Sequence, residues 1–456
     1  MVKKSLIRVK QEAKHETRYQ FHEIVRQYAY EKLVESGEEE NIRTRHLKYF
    51  LGLSEQAEPA LRGPAQVEWY ARLNEERDNI RAALEWADNT DVEAGLYISG
   101  RLQDLWENLD MREGARWLTE FIEKSESNDY PHARAKALLA QGWLLVGFHQ
   151  FASATSVAQE CLELFRACRD KLGEADGFLL LGGAWGYQDD PAIVLEHQQQ
   201  ALALAQSLGD KWRQARALLH LGTDPRDRQH SFTYWEEALA LFREVGDWRE
   251  LTDLLGLVSF FRVLEGDIEI AQKYLDEETR LQSLTSKTVR GENAKTAKSL
   301  IALMRGDYEQ ARALLLEIAI VADKLGNRMA YLWNLVRLGY VALREGNLTE
   351  ARRFFAESAK NFQEDEDPDG IAFTLEGVAG IFVAVEQPEL AARLIGWADA
   401  TREKINDTRP VLEQADVDKI IAACLAKMGE VAFSDAYDEG QKMTLDEAVA
   451  YALEET

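Results

Sequence analysis

Apolar residues recur along this chain at helical spacing, in stretches of four or five helical turns, each closed by a reversal of the chain. The reversals share a signature: glycine followed by an acid or amide, as LGD at 208–210, VGD at 245–247, EGD at 265–267, RGD at 305–307, LGN at 325–327 and EGN at 345–347. Glycine suits the left-handed cap that ends a helix. From Asp267 onward the signature keeps one rhythm, at Asp267, Asp307, Asn327 and Asn347. The pattern predicts a repeating unit of two helices and about 40 residues.

A second register supports this unit. Small residues stand at Gly142, Gly182, Gly222, Ser259, Ser299, Gly339 and Gly380, at intervals of 40, 40, 37, 40, 40 and 41. Twelve positions after most of them comes another slim residue: Ala154, Val194, Ala271, Ala311, Ala351 and Ala392. The third unit places Ala238 sixteen after Gly222, which implies a short insertion around TDPRDRQH (223–230). Two helices approach closely only where side chains are small, so a fixed small position on each helix predicts tightly crossed pairs. LVRLGYVALREGNLTEARRFFAESA (335–359) is the best copy of the unit, and it matches the tetratricopeptide pattern with each helix about a turn longer. LQDLWENLDMREGARWL (102–118) reads as an eighth, divergent unit.

The ends depart from this rhythm. Residues 5–22 alternate apolar and polar around a polar centre, predicting a β-hairpin with strands near 5–11 and 18–22. A helix follows, with Gly37 as its stop, then helices at 39–58 and 65–88 broken by LRGP (61–64). The last segment holds two or three helices, one capped by Thr444 with Glu447 three positions on. The expected fold is all-α: a right-handed, tetratricopeptide-like superhelical solenoid of about seven to eight helix-turn-helix repeats. Its expected divisions are 1–45, a hairpin and helix; 46–130, linking helices and a divergent first repeat; 131–409, the repeats; and 410–456, capping helices that cover the last repeat.

Composition narrows the function. The net charge is −25, but residues 1–50 carry +3 and the remainder −28. An acidic body repels phosphate backbones, so no direct nucleic-acid binding is expected. Long apolar runs and a signal peptide are lacking, so neither a membrane nor secretion is expected. Three cysteines, with Cys161 and Cys168 two helical turns apart and Cys424 distant, fit a reduced, cytoplasmic protein.

No HExxH, paired CxxC, GxSxG or GxxxxGK[ST] motif occurs. His220 and His230 flank the insertion with Asp224 and Asp227; a metal site there competes with a plain solvated loop. EDEDPD (364–369) lacks calcium-loop spacing and reads as an acidic inter-helix turn. The chain is therefore expected to be no enzyme and to need no cofactor or metal. In this architecture the first helix of each pair lines an inner wall left free for a guest. The inward positions select Trp143, Tyr187, Arg216, Phe260, Trp333, Tyr340 and Arg344, with Arg337 beside them. Aromatics and arginine are the types that anchor partners.

At the N-terminal quarter the chain resembles a family. KKSLIRV with RYQFHEIVRQYAYEKLVESGE, and then RHLKYFLGLSEQAEPALRGPAQVEWYARLNEERDNIRAALEWA (45–87), resemble the region that follows the nucleotide-binding module in bacterial STAND-type regulators of the LuxR/AfsR-like kind. The C-terminal AACLAKMGEVAFSDAYDEGQKMTLDEAVAYALEE is similar to the end of such proteins. The resemblance implies that the hairpin and helix at 5–36 are the end of a winged-helix domain, with an NTPase module upstream. The preceding helices and the P-loop are not in this chain, which is thus expected to be a fragment, or a gene product without its motor. It further implies a sensor or scaffold module of a transcriptional regulator, whose partner is a protein, a peptide or a small-molecule inducer. A free-standing tetratricopeptide adaptor joining two proteins is the alternative.

Overall fold

A computed structural model describes residues 7–11, 17–125, 129–184, 191–223, 228–285, 291–325 and 327–454. It opens with an antiparallel hairpin, β1 (Ile7–Gln11) and β2 (Thr17–Phe21), in register from Ile7 opposite Phe21 to Gln11 opposite Thr17. Linking helices follow: α1 (Glu23–Ser36), α2 (Glu39–Ala60), α3 (Gln66–Glu75), α4 (Arg77–Thr90), α5 (Val92–Arg101), α6 (Gln103–Leu109) and α7 (Met111–Lys124). The helix expected over 65–88 is thus two, divided at Glu76. The first helix of the divergent unit is also broken, at Leu102. Its Gly114 still marks a close crossing, since a Cβ there would lie 2.4 Å from that of Trp106.

Helix pairs come next. They are α8 (Pro131–Gly147) with α9 (Phe151–Ala167), α10 (Lys171–Gly183) with α11 (Pro191–Leu208), and α12 (Lys211–Leu221) with α13 (Arg228–Val245). Then come α14 (Trp248–Leu264) with α15 (Ile268–Thr285), α16 (Glu292–Met304) with α17 (Tyr308–Leu325), α18 (Arg328–Glu345) with α19 (Leu348–Glu364), and α20 (Pro368–Ala384) with α21 (Pro388–Lys404). Each helix packs on its pair-mate and on the following pair, so the core runs as a strip along the stack. The chain is an all-helical, tetratricopeptide-like solenoid with a short hairpin at its start.

The glycine–acid turns are double caps. Glycine ends one helix in the left-handed region, with φ of +68° at Gly209, +79° at Gly246, +83° at Gly266, +78° at Gly306 and +79° at Gly346. The next acid or amide caps the following helix: Asp210, Asp247 and Asn347 each accept a hydrogen bond from the backbone N–H three positions on. Where the sequence lacks the glycine, the backbone keeps its conformation regardless. His149, Arg169, Glu366, Glu386 and Asn406 hold φ between 52° and 62°. The acidic run at 364–369 is such a turn, with Asp367 capping α20.

The small positions are crossing points. A Cβ on Gly339 would lie 2.5 Å from the Phe355 ring, and one on Gly222 2.3 Å from the Trp235 indole. Ser259 and Ser299 fill the same place fully buried, each returning its hydroxyl to its own helix.

The described chain closes with α22 (Val411–Met428), α23 (Glu430–Gly440) and α24 (Leu445–Glu454), the last with the expected Thr444–Glu447 capping box. The helix α23 packs on α21, and α24 packs on α19, α20 and α21. Gly396 and Gly440 let α21 and α23 touch backbone to backbone: a Cβ on Gly440 would lie 2.0 Å from the Arg393 carbonyl oxygen. No rotamer change relieves that contact, so Gly440→Ala should destabilise the cap by about 1–3 kcal/mol. The expected readout is faster hydrogen exchange in α23 and α24 and unchanged exchange in α8–α13.

The helix α22 does something else. It turns back across the first helices of the pairs, where Leu412 packs with the Val263–Leu264 cluster and Arg344 pairs with Asp416. The N-terminal segment does the same from the other end. Gln66 donates to Asp247 (3.0 Å) and accepts from the Arg249 backbone (2.9 Å), while Arg249 pairs with Asp104 (3.2 Å) and Glu107 (2.7 Å). The inner wall is therefore not left free along its length, as the repeat pattern alone implied. The chain's own ends occupy both halves of it.

Candidate functional site

Between the repeat helices and the returning C-terminal segment a cavity of about 390 Å³ remains. The first helices of three consecutive pairs line it: α14 with Phe260, Phe261 and Leu264, α16 with Asn293 and Thr296, and α18 with Trp333, Asn334 and Arg337. Phe232 and Trp235 of α13 form its far side. Asp369 at the start of α20, Arg402 at the end of α21, and Asp407, Pro410 and Glu413 of the returning segment close it. Pockets of this size accept a small ligand or a short stretch of peptide.

Its aromatic wall is pre-formed. Phe260 stands edge-on to Phe261 (5.2 Å), and Trp333 stacks on Phe373 (5.8 Å, 28°). The Arg337 guanidinium lies 5.2 Å from the Phe260 ring and 5.5 Å from that of Trp333, within cation–π range of both. It donates to the Trp333 carbonyl (3.2 Å), and none of the described carboxylates is paired with it. Burial lowers its pKa to about 10, against the pull of Glu413 and Asp369.

The opposite wall is acidic and tied to Arg402, whose side chain is 5% exposed. Arg402 bonds Glu376 (2.8 Å), Glu413 (3.3 Å), Asp369 (3.4 Å) and Asp407. Arg409 adds a second cation on Glu376 (2.8 Å) and Asp399 (2.6 Å). Two arginines do not neutralise this many carboxylates. Burial pushes Glu413 up to about 8 and Asp369 up to about 7 despite Arg402. Between them, Asn334 donates to Ala330 O (2.7 Å), but its Oδ1 is buried without a partner.

The raised Glu413 carboxyl has a consequence for stability. A folded pKa above the unfolded value of 4.5 stabilises fully below that value, and the contribution is lost as pH rises through about 8. Glu413→Gln should therefore gain on the wild type between pH 5.5 and pH 9 in thermal midpoint. A difference that stays constant with pH would contradict the assignment.

The inward positions expected from the repeat register separate into groups. Phe260, Trp333 and Arg337 meet in the cavity. Tyr340 and Arg344 line a smaller void of about 60 Å³ farther along α18, where Tyr340 donates to Phe373 O (2.9 Å) and Arg344 pairs with Asp416 of α22. Trp143 and Arg216 lie in the half filled by the N-terminal segment, in a void of about 20 Å³ walled by Arg62, Asp104 and Glu107. There Arg216 sits 4.6 Å from the Trp143 ring and pairs with Glu250, and Trp143 stacks on His220 (5.9 Å, 19°). Tyr187 lies outside the described residues, as do Asp224 and Asp227. Burial, then Arg216, drives His220 down to about 3. Among the described residues no group of His, Cys, Asp or Glu is placed to hold a metal, and no helix is long and apolar enough to cross a membrane. The three cysteines are free thiols.

Asn334, Asp369, Arg402 and Glu413 are polar site residues that the periodicity did not select, as it did not select Phe232, Trp235 and Phe261. Asn334 sits one turn before Leu338 on the best-conforming repeat, and a polar residue at an inward helical position was its one signal. Asp369, Arg402 and Glu413 depend on where the returning segment docks.

No protein-family model matches the chain. Proteins of Mycobacterium tuberculosis and Mycobacterium bovis, named by assignment as HTH-type transcriptional regulators, are 25% identical to it over 545 residues, covering 99% of this chain and 60% of theirs. The chain thus spans about 60% of the length of these relatives. The regulatory protein AfsR of Streptomyces griseus is 29% identical over 110 residues, 24% of this chain and 11% of AfsR. Among solved structures, a Rap protein complexed with Competence and Sporulation Factor superposes with a TM-score of 0.52 at 11% identity, covering 71% of this chain and 98% of that one. A STAND protein with a tetratricopeptide repeat sensor, PH0952 from Pyrococcus horikoshii, gives 0.41 at 15% identity, covering 80% and 58%. The chain is related in sequence to HTH-type and AfsR-like regulators, and it shares the helix-pair solenoid fold of the Rap protein.

Proposed function

We propose that this chain is the ligand-sensing module of a STAND-type transcriptional regulator, and that it binds a peptide or a short protein segment in the cavity between its repeat helices and its returning C-terminal segment. The observation that carries the proposal is the cavity's composite wall. Residues from three consecutive pairs, from Asp369 and Arg402 of the last pair and from the returning segment all face one space. A guest there touches elements far apart in the chain, from Gly222 to Glu413. Its affinity therefore depends on how the solenoid is curved and on whether the returning segment is docked. That dependence is what a sensor needs, because a ligand shifts a conformational equilibrium only through unequal affinity for the two states.

Two features support the regulator context. The relatives are longer proteins named as HTH-type transcriptional regulators, of which this chain matches about 60%. The hairpin and α1 are read as the end of a winged-helix domain. Along α1, Ile24 is 82% exposed, Tyr28 60% and Val34 47%, an apolar face that such a domain would cover. An NTPase module as partner, the division at residues 45, 130 and 409, and a right-handed superhelical course belong to this proposal. A peptide or protein ligand is favoured because the Rap protein of the same fold is complexed with Competence and Sporulation Factor.

The test is a thermal-shift screen of defined peptide and small-molecule panels against the wild type and Trp333→Ala. Ligands of the cavity raise the wild-type midpoint and lose most of that effect in the variant, since a truncated anchor costs binding about 2 kcal/mol or more. Ligands that stabilise both proteins equally would place the site elsewhere.

A further inference from the structure

The cavity has a chemical polarity that the sensor reading does not use. Among the described residues, four carboxylates, Glu376, Asp369, Asp407 and Glu413, meet on the one Arg402 guanidinium, and the second guanidinium of the cluster, Arg409, reaches only Glu376 of the four. The buried atom without a partner, Asn334 Oδ1, is an acceptor and not a donor. Acceptors and negative charge are in excess on one side, and ring faces form the other. A cation with N–H donors meets both demands, because it pairs with carboxylates, donates to the amide oxygen and sits well on aromatic faces.

We infer that the cavity receives a cationic group, an ammonium or guanidinium carried by a basic residue of a peptide, held by Asp369, Glu413 and Asn334 with its aliphatic stem against Phe260 and Trp333. The inference rests on the sensor reading and names the chemistry of its ligand. Arg337 occupies the place that such a cation approaches. Its guanidinium, parked on Phe260 and Trp333, is a stand-in that the guest displaces or repels. This gives the site a sign: removing the Arg337 charge favours a cationic guest and disfavours an anionic one.

Protons give a second sign. Glu413 faces Arg402, Glu376, Asp369 and Arg337, and Asp369 faces Asp407, Arg402, Asp367 and Glu376. Both carboxyls are held above the usual carboxylate range, and a bound cation favours their ionised forms. Binding therefore releases protons, and affinity rises as pH goes from 6 to 9.

The test uses the whole chain and two matched probes, an equimolar mixture of acetylated, amidated tetrapeptides with arginine at one internal position and the same mixture with citrulline, the uncharged isostere, with a glutamate mixture, agmatine and spermidine as controls. Titration calorimetry in two buffers of different ionisation enthalpy follows binding and proton release. The arginine mixture should bind at least about tenfold more tightly than the citrulline mixture, the worth of a charge-assisted hydrogen bond. Arg337→Met should tighten it, and the isosteric pair Asp369→Asn with Glu413→Gln should weaken it by about tenfold or more. Circular dichroism and thermal melting of each variant separate lost binding from lost fold, and Arg337→Met, which leaves the acidic wall intact, tests the sign independently.

If the citrulline mixture, or one with glutamate, binds as well and loses binding with Trp333→Ala, the cationic site is overturned while the sensor reading stands. Agmatine or spermidine binding without any response to the peptides keeps the cationic site and overturns the peptide as its source. No response to any probe at about 1 mM, the weak limit of specific binding, overturns both.

Discussion

Arg402→Met should destabilise the C-terminal third of the chain by about 3–5 kcal/mol, the cost of stripping a buried ion cluster of its central cation, and release α22 from the inner wall. Arg402 joins three elements at once: Glu376 and Asp369 of α20, Asp407 of the following loop, and Glu413 of α22. Its side chain is 5% exposed and that of Glu376 is 2%, so neither charge has water to fall back on. Arg409 remains on Glu376, but it reaches neither Asp369 nor Glu413. Those two carboxyls already stand near 7 and 8, so at pH 5 they are protonated and need Arg402 less. The loss should therefore be smaller at pH 5 than at pH 8. Urea unfolding followed by hydrogen exchange in residues 411–428 measures both effects. A loss under about 1 kcal/mol, the level of a surface pair, would mean that α22 is held by its apolar contacts alone.

Arg249→Met should undock the N-terminal segment from the fourth pair at a cost of about 2–3 kcal/mol. That is somewhat below the fully buried case, because the guanidinium keeps 19% exposure. The variant leaves Asp104 and Glu107 side by side with Arg62 as their nearest described cation, 3.8 Å from Asp104. Tyr70 also loses the hydrogen bond that it accepts from Arg249 (3.3 Å). Gln66→Ala is a milder companion, since it removes the two bonds to Asp247 and the Arg249 backbone without exposing a charge. Faster hydrogen exchange in α3 and α6, with the pairs from α16 onward unchanged, is the expected pattern. Equal loosening throughout the stack would mean that the N-terminal segment supports the whole solenoid and not one joint of it.

What the sequence made legible was the periodic part. Gly222, Ser259, Ser299 and Gly339 stand in register because the place where a first helix packs tightly admits only a small side chain or none, most sharply at Gly222 against Trp235 and Gly339 against Phe355 of the pair-mate. The glycine–acid turns were legible for the same kind of reason. The pairs that hold the turn with His149, Arg169 or Glu386 hid it, because tertiary packing overrode the local preference for glycine.

The returning ends were not legible. Gln66 meets Asp247, and Leu412 meets Val263, across long intervening stretches of chain, and such contacts leave no period in the sequence. Arg249 and Arg402 look like ordinary charges on helix surfaces until the partner segment is in place. For that reason the repeat register brought out Phe260, Trp333 and Arg337, all on the periodic helices, but neither Asp369 nor Glu413. It likewise pointed to Trp143 and Arg216 without revealing that the N-terminal segment lies over them.

The most direct measurement is hydrogen exchange of the full chain with and without the arginine tetrapeptide mixture at pH 8. Slowed exchange confined to 258–265, 292–296, 330–337 and 407–416 is the result expected of a guest held between the repeat helices and the returning segment. Protection on the outer helices α15, α17 and α19, with those four stretches unchanged, would contradict it.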